Sequence, residues 1–500
     1  MMNVNSINLQ TFIPVLLFLF ILLCIGFYAA QSVKNNSDFQ KEYFLGSRNL
    51  GGVVLAMTLI ATYGSVSSFV SGPGIAWDLG LGWVVFAAPQ IITGFLILGV
   101  VGKKMAVLSR ITGSLTVIDI IYKRFNSKTL SLLLALVLLI FFTAMTVGQF
   151  IGGAQIFAAI TGLDYKAGLI LFAAVTVIYT SGGFKAVALT DAACAILMIT
   201  GMFLLCGIIF DEAGGLDSIM SKISSVNLNS EGVSRNLLPD ADGALPYTLL
   251  FSAWLLVGFG TIGLPQSLVR CMSYKQTSDL HRAMIIGTII CGALMIGMTL
   301  LGVFARAVIE ELPQNGTDSI IPTLIVTKMN PFLAGATLLG PLAATMSTVS
   351  SLLIAASSAV IKDIYGTFLG KNSADHSGKI RTLSIITTYT VGLIALLLAL
   401  FPMDIVAWVN LFAFGGLETA FLMIILLGLF WQKMNTLGAF LSLGAGSISY
   451  IIAMSLHLNF LGFHNIVVGL FFAAVFAVIG SYIGKSNDEK TLKTFFPHKY

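Results

Sequence analysis

The sequence predicts an all-α membrane protein with about thirteen transmembrane helices. Of the 500 residues, 57% are hydrophobic and 10% are charged, whereas soluble proteins carry roughly 25% charged residues. The apolar residues come in long unbroken runs, which excludes an outer-membrane barrel, whose strands alternate apolar and polar positions. The net charge of +5 is too small and too dispersed for a nucleic-acid-binding surface. Soluble and nucleic-acid-binding classes are therefore excluded.

A hydropathy window of about 19 residues predicts where the thirteen spans lie. Spans one to thirteen are expected at 9–31, 50–76, 81–102, 130–158, 166–181, 187–210, 246–269, 283–305, 332–360, 382–401, 405–431, 436–456 and 465–484. The first run has no basic leading segment and no clear cleavage site, so we interpret it as a retained span and not a signal peptide. Segment 105–127 mixes apolar and basic residues, which predicts a single helix at the cytoplasmic interface.

The basic residues predict the orientation of the chain. Twenty-two of the 27 Lys and Arg residues, Arg270 among them, fall in alternate connections, and five fall on the other side. The positive-inside rule therefore places the N-terminus outside and the C-terminus in the cytoplasm. With this orientation, spans two to six and spans seven to eleven form two inverted units of five.

Inverted five-helix units are an architecture of secondary transporters, in which the first helix of each unit is unwound near the bilayer midplane. Both first helices are interrupted here, by glycine, serine and proline at 64–68 and 72–74 in span two and at 258–266 in span seven. Interruptions free backbone groups that lipid cannot satisfy, which implies a polar cavity. Kinking or close packing would explain one such helix, but two at corresponding positions favour a transport site.

The expected organisation follows from these units. An N-terminal extra span and loop (1–49) precede the first five-helix repeat (50–210). An extracellular loop (211–245) leads to the second repeat (246–431), and two C-terminal spans with a cytoplasmic tail (432–500) follow.

Span nine carries a row of small and hydroxyl-bearing residues on one helical face. The row is formed by Ala344, Ser347, Thr348 and Ser351. A hard monovalent cation is held well by several neutral oxygens, which the two central hydroxyl groups and the Ala344 carbonyl can supply. Carbonyl groups freed at Ala61 and Gly64 in the unwound span two can converge with them. Hydrogen bonding within or between helices is the alternative reading of these hydroxyl groups.

Ionisable residues within the spans are functional candidates by default. Glu418 lies deep in span eleven and is a candidate gating or network residue. Asp191 lies near the cytoplasmic end of span six, where snorkelling or a local polar contact is favoured. Tyr63 and Trp83 fit either an outer vestibule or an interfacial aromatic belt, and the belt is favoured.

Sequence signatures of enzymes are missing from the chain, including HExxH, GxSxG and Cys/His metal spacing. Segment 480–486 resembles a phosphate-binding loop but has three residues between its glycines, not four, and ends a membrane helix. We therefore expect neither an enzyme nor an ATP-driven pump, and no cofactor.

The same segments resemble the sodium:solute symporter family, and more closely its sodium/pantothenate symporters. The resemblance is carried by ATYGSVSSFVSGPG (61–74), QFIGGAQ (149–155), YTSGGFKAV (179–187), GTIGLPQSLVRCMSYK (260–275), HRAMIIGTII (281–290), STVSS (347–351), IKDIYG (361–366) and WVNLFAFGGLE (408–418). It covers most of the chain. It implies a LeuT-type core of two inverted five-helix repeats, with one helix before and two after.

The resemblance also implies roles for individual residues. The family's sodium site falls on Ala61, Gly64, Ala344, Ser347 and Thr348. Asp191 stands where relatives carry an acidic residue linked to sodium use. Substrate-binding positions fall on Ser65, Ser68, Gln149, Gly260, Thr261 and Gln266. The substrate carboxylate is expected at free N–H groups and a positive half-helix end near Gly72 and Gly74, with no buried Arg or Lys competing for it.

The resulting prediction is sodium-coupled uptake of pantothenate by alternating access across a bacterial inner membrane. Sodium is the coupling ion, the bilayer and the substrate are the partners, and a monomer suffices. A symporter for a monocarboxylate, proline or a sugar is one alternative, and a non-transporting membrane sensor is another. One sodium ion with one anion moves no net charge and would concentrate substrate about tenfold, against several thousandfold with two. The stoichiometry is left open.

Overall fold

The computed structural model describes residues 9–34, 39–162, 164–314, 316–368, 377–401, 406–458 and 460–497. Across these residues the chain is helical, with isolated β-bridges as its only strand-like pairs. Within the described ranges, ten helices are long and apolar enough to cross a membrane, and two bent helix pairs raise that number to twelve. A shorter apolar helix, Tyr165–Thr180, lies at the predicted position of span five. All thirteen predicted spans therefore correspond to apolar helices.

The helices begin and end close to their expected positions. Spans one to thirteen are formed by Leu9–Lys34, Gly52–Tyr63 with Ser67–Leu79, Leu81–Thr112, Lys128–Thr161, Tyr165–Thr180, Phe184–Ala213, Tyr247–Gly263 with Pro265–Cys271, Thr277–Ala305, Pro331–Tyr365, Ser377–Ala399, Val406–Phe430, Thr436–Ser455 and Ile466–Ile483. Polar side chains cap several of them: the Asn330 side chain accepts the Leu333 N–H at the start of span nine.

The prediction of one continuous helix at 105–127 was wrong. Span three continues to its end at residue 112, Gly113 adopts a left-handed conformation (φ 69°), and a separate helix, Val117–Phe125, follows. Arg124 of this second helix is buried, and its Nε donates to the carbonyl oxygen of Gly428 at 2.9 Å. The second of these helices thus packs under the end of span eleven.

Spans two and seven are broken at the predicted interruptions. The two halves of span two meet at 69°, and those of span seven at 51°. In span two the first half ends at Gly64, whose backbone is extended (ψ 124°). In span seven Leu264 is extended before Pro265, which fits the first position of a helix but cannot continue the preceding one. These breaks place irregular backbone inside the bundle.

Span nine lies at the centre of the bundle. Of its apolar window 89% is buried, against 33–67% in the other nine unbroken spans. It packs against spans two, four and six. Span six approaches it closely at Gly201, where a Cβ would stand 3.0 Å from the Thr337 carbonyl oxygen. The hydroxyl-bearing face of span nine therefore meets protein and not lipid.

Candidate functional site

Oxygen atoms converge where the break in span two meets span nine. The Ser347 hydroxyl donates to the Ala61 carbonyl oxygen at 2.8 Å, and the Thr348 hydroxyl donates to that of Gly64 at 2.9 Å. Both hydroxyl oxygens also lie close to the Ala344 carbonyl oxygen, at 3.1 and 2.9 Å. All five residues are buried. The structure thus brings together the five residues predicted as sodium ligands.

This five-oxygen cluster has the chemistry that a hard monovalent cation prefers. Three carbonyl and two hydroxyl oxygens are neutral, and the hydroxyl groups can turn their lone pairs toward an ion by rotating their hydrogens away. The Gly64 and Ala61 carbonyl groups are available because the helix ends there. Two separate elements contribute to the cluster, so an ion bound in it would hold spans two and nine together.

Asp191 of span six and Arg270 of span seven form a buried ion pair. The pair lies beside Ser351 of span nine, one helical turn after Ser347. Asp191 Oδ2 accepts hydrogen bonds from Arg270 Nη2 at 3.1 Å and from the Thr58 hydroxyl at 2.5 Å. Arg270 Nη2 also donates to the Ser351 hydroxyl oxygen at 2.7 Å. Ser351 in turn donates to the Ser347 carbonyl oxygen at 2.9 Å. The ion pair is therefore linked by hydrogen bonds to a residue of the five-oxygen cluster.

Of the two alternatives expected for Asp191, the structure shows the local polar contact and not snorkelling, and the assignment of Arg270 to a connection was wrong. Asp191 has no exposed surface (0%), so it does not snorkel to an interface. Arg270, assigned to a cytoplasmic connection, lies in the second half of broken span seven and is also buried. Its Nη1 donates to the Gln266 carbonyl oxygen at 2.6 Å. Charge counting assigns every Arg to a loop, whereas a buried acid and several acceptors allow this one to enter the bundle.

A cavity, here called the central cavity, opens beside the break in span two and has an empty volume of about 640 Å³. The cavity is lined by Tyr63, Ser65, Ser67, Ser68, Gly72, Trp83, Phe86, Ala87, Gln90, Val257, Met295, Thr299, Ala407, Asn410, Leu411 and Phe414. These lining residues include no charged side chain, so an anion would be neutralised by backbone N–H groups or by a bound cation.

Aromatic side chains form part of the cavity wall. Trp83 stacks on Phe86 with ring centroids 4.5 Å apart and meets Trp408 edge-on at 6.0 Å. Trp83 and Tyr63 are 5% and 6% exposed. Their assignment to an interfacial aromatic belt was therefore wrong, because belt residues face lipid headgroups and these line the cavity.

Amide side chains connect the broken backbone to the cavity. Gln149 Oε1 accepts the N–H of Val66, where the helix resumes after the break, at 3.0 Å. Gln149 Nε2 donates to Asn410 Oδ1 at 3.3 Å, and Asn410 Nδ2 donates to the Ser67 hydroxyl oxygen at 2.5 Å. Gln149 is fully buried behind the wall, whereas Asn410 lines the cavity. Sequence reasoning missed Asn410, whose only signal was an amide side chain within an apolar span.

Apart from Gln149, which lies behind the cavity wall, the predicted substrate residues divide into two groups. Ser65, Ser68 and Gly72 line the central cavity. Gly74, Gly260, Thr261 and Gln266 are not brought there by the structure.

The second group is held in other contacts. A Cβ at Gly74 would stand 2.1 Å from the Thr317 carbonyl oxygen, so this glycine serves close packing. The Thr261 hydroxyl donates to the Gly258 carbonyl oxygen within its own turn, at 2.6 Å. Gln266 lines a smaller cavity with Arg270 and Ser351. The glycine and proline pattern predicted the breaks but not the direction of the chain after them.

The expected positive helix end near Gly72 and Gly74 was also wrong. The second half of span two resumes at Val66, and the Gly72 N–H already donates to the Ser67 carbonyl oxygen. Free N–H groups belong to the first turn after a break. That turn begins next to Ser65 and the five-oxygen cluster, where the Val66 N–H is bonded to Gln149 Oε1 and the Ser68 N–H to the Ser65 carbonyl oxygen.

Glu418 is fully buried in span eleven and packs against Gly260 of span seven. Its two carboxyl oxygens have no hydrogen-bond partner among the described residues.

Comparison with known proteins gives consistent matches. The profile of the sodium:solute symporter family matches residues 43–446. The sodium/pantothenate symporter of Haemophilus influenzae is 41% identical, with 97% of this chain and 98% of the relative covered. The sodium/pantothenate symporter of Escherichia coli is 38% identical, with 97% and 99% covered. The sodium/proline symporter of Escherichia coli is 27% identical, with 98% and 96% covered. All of these relatives are transporters.

Solved structures match the fold. A Na⁺-coupled sialic acid symporter in a substrate-bound outward-open state superposes with a TM-score of 0.81 at 18% identity, covering 96% of this chain and 98% of that one. A nucleobase-cation-symport-1 family transporter in a closed conformation gives a TM-score of 0.54 at 14% identity, covering 90% and 97%. These neighbours confirm the predicted all-α fold with a LeuT-type core.

Proposed function

Because the chain belongs to the sodium:solute symporter family, we propose that it uses sodium influx to drive the uptake of pantothenate by alternating access. The family assignment supports sodium coupling. The names of two relatives that are 41% and 38% identical over almost the whole chain support pantothenate as the substrate. The apolar helices and the bacterial relatives make the protein a multi-pass protein of the bacterial inner membrane.

One observation carries the proposal for the sodium site. The five oxygens of Ala61, Gly64, Ala344, Ser347 and Thr348 meet at a helix break that borders the central cavity. Sodium bound there replaces two hydroxyl-to-carbonyl hydrogen bonds with ion–oxygen contacts and favours the conformation in which spans two and nine touch. Sodium binding is thereby coupled to the shape of the cavity.

The cavity lining supports a polar, singly charged substrate. Pantothenate carries one amide, two hydroxyl groups and one carboxylate. Ser65, Ser68 and Asn410 offer hydrogen-bonding groups for the amide and hydroxyls, and Trp83 and Phe86 offer an apolar wall. The carboxylate would lie at the positive end of the helix dipole, at the start of the second half of span two, and close to the cation beside Gly64.

The charge distribution supports an orientation with the N-terminus outside and the C-terminus in the cytoplasm. Residues 50–210 and 246–431 then form the two inverted repeats. In this orientation the Asp191–Arg270 pair lies between the sodium site and the cytoplasm, and Trp83 and Trp408 lie on the outer side of the cavity. We assign Asp191 a coupling role, because breaking its ion pair with Arg270 would open a path from the sodium site to the cytoplasm. One chain contains every residue of this site.

Uptake of labelled pantothenate into proteoliposomes, with sodium or potassium outside, tests the proposal. The double variant Ser347→Ala/Thr348→Ala removes two of the five oxygens and should raise the sodium concentration for half-maximal uptake at least about a hundredfold. Thr345→Ala is the matched control. This hydroxyl is buried in the same helix, but it donates to the carbonyl oxygen of Pro341 in its own helix at 2.8 Å.

Three outcomes would contradict parts of the proposal. Unchanged sodium dependence in the double variant would show that sodium does not bind at the span-nine hydroxyl groups. Accumulation of proline or a monocarboxylate, but not of pantothenate, would show the substrate to be wrong. Binding of pantothenate without sodium-dependent flux would indicate a sensor instead of a transporter.

A further inference from the structure

Glu418 is a buried carboxyl group to which the transport cycle described so far assigns no role. It lies in the middle of Val406–Phe430 with 0% of its surface exposed. Neither carboxyl oxygen has a hydrogen-bond partner among the described residues. A bare carboxylate in such a place is strongly unfavourable, and more so within a membrane. The negative charge of the Glu418 carboxylate therefore has to be neutralised by a bound cation, and a proton is the smallest such cation.

The surroundings of the carboxyl group favour a proton. A Cβ on Gly260 would stand 2.2 Å from the Leu255 carbonyl oxygen and 2.3 Å from Glu418 Oε2. Both oxygens therefore lie beside the Cα of Gly260, in the irregular part of span seven. A protonated carboxyl group can donate to a carbonyl oxygen, whereas a carboxylate would be repelled by it.

The groups packed around Glu418 offer no positive charge. Tyr63 and Tyr450 are the ionisable side chains that interact with it electrostatically. Their hydroxyl groups donate elsewhere, to the carbonyl oxygens of Val257 at 2.9 Å and Phe412 at 3.0 Å.

Spans four, seven and thirteen also pack against this part of span eleven. They contribute Phe141, Gly263 and Gly469, which are uncharged. Arg124 contacts span eleven nearly three turns further on, at Gly428. The described ion pairs do not include Glu418.

Glu418 lies just beyond the wall of the central cavity. Phe414, one helical turn earlier and on the same face, lines the cavity, as does Val257, three residues before Gly260. The carboxyl group therefore sits between two elements that both reach the cavity. One of them is the broken helix of the second repeat, whose movement would change the access of Glu418 to water.

We propose that Glu418 is the site of a second coupling cation, a proton, which is taken up with sodium and pantothenate and released inside. This inference rests on the proposed function and adds to it. One sodium ion and one pantothenate anion move no net charge, whereas a proton in addition moves one positive charge per cycle. A potential of 100 mV then increases accumulation about fortyfold, from about tenfold to several hundredfold under a tenfold sodium gradient.

The test uses proteoliposomes that contain a pH-sensitive dye, with the potential set by potassium and valinomycin. Addition of pantothenate and sodium to the wild type should acidify the lumen by about one proton per pantothenate. An inside-negative potential of 100 mV should raise accumulation about fortyfold. Glu418→Gln should keep sodium-dependent uptake but lose both acidification and voltage dependence. Asp363→Asn, at a buried carboxyl group bonded to the Thr116 hydroxyl at 2.6 Å, should keep both.

The outcomes separate this inference from the proposed function. Sodium-dependent uptake by the wild type without acidification would overturn the inference and leave the proposed function standing. If that uptake were voltage-dependent and steeper than first order in sodium, the second cation would be sodium. Acidification by Glu418→Gln equal to the wild type would also overturn the inference. If the wild type showed no uptake of pantothenate, both the inference and the proposed function would be contradicted. If Glu418→Gln fails to fold, the wild-type acidification alone decides.

Discussion

Replacing Arg270 with glutamine would leave the buried carboxylate of Asp191 without its counter-charge. The two groups lie 3.1 Å apart, and both side chains are almost completely inaccessible to solvent. Asp191 would keep its hydrogen bond from the Thr58 hydroxyl, which carries no charge. The expected consequence is a loss of stability, because a buried unpaired charge is more costly than the intact pair.

The size of the loss follows from the geometry. At 3.1 Å and an effective dielectric constant of 20, the Coulomb attraction is about 5 kcal/mol. Removing one partner of a buried pair typically costs about 3 to 5 kcal/mol. Arg270→Gln and Asp191→Asn should each lower the free energy of unfolding by about that amount. The double variant should lose less than the sum, with a coupling of roughly 2 to 3 kcal/mol.

The assay is equilibrium unfolding of the purified protein in detergent, run as a double-mutant cycle. The Lys328–Glu212 pair is the control, since it has the same 3.1 Å separation but is about one third exposed, and its coupling should be below about 1 kcal/mol. If the losses at Arg270 and Asp191 add within about 0.5 kcal/mol, the two side chains do not stabilise each other and the reasoning is refuted.

Three further predictions concern the cavity, the break and a loop. Asn410→Ala should weaken pantothenate binding about tenfold without changing the sodium requirement, as competition binding would measure. Gly152→Ala should destabilise the fold by about 1 to 3 kcal/mol, because its Cβ would stand 2.2 Å from Val66 Cγ2, whereas Gly207→Ala meets nothing within 4 Å and should be neutral. Burial lowers the pKa of His464 from 6.5 to about 4, and its Nδ1 accepts the Ile466 N–H. The free energy of unfolding should therefore fall by up to about 3 kcal/mol as the pH drops from 6.5 to 4, and His464→Asn should remove this dependence.

The spans and their breaks were predictable because their signals are local. Long apolar runs specify helices in lipid, and the clusters of glycine and proline around Gly64 and Pro265 mark the places where a helix is easily interrupted. The hydroxyl row at Ser347 and Thr348 was visible through helical spacing alone. These features depend on neighbouring residues in the chain, so the sequence displays them directly.

The cavity and the ion pair were less predictable because they depend on contacts between distant spans. Arg270 looks like a loop residue until Asp191, 79 residues earlier, is known to face it. Asn410 reaches Ser67 from 343 residues away, and no spacing reveals that contact. The bend of 51° in span seven carried Gln266 away from the central cavity. Tertiary geometry decided each of these outcomes.

The central claim is that sodium and pantothenate stabilise each other at the break in span two. The most direct measurement is pantothenate binding to the purified protein at several sodium concentrations, together with sodium binding at several pantothenate concentrations. Because coupling between two sites is reciprocal, sodium should raise the affinity for pantothenate by the same factor by which pantothenate raises the affinity for sodium, roughly tenfold or more. Pantothenate affinity that does not change when potassium replaces sodium would contradict the account.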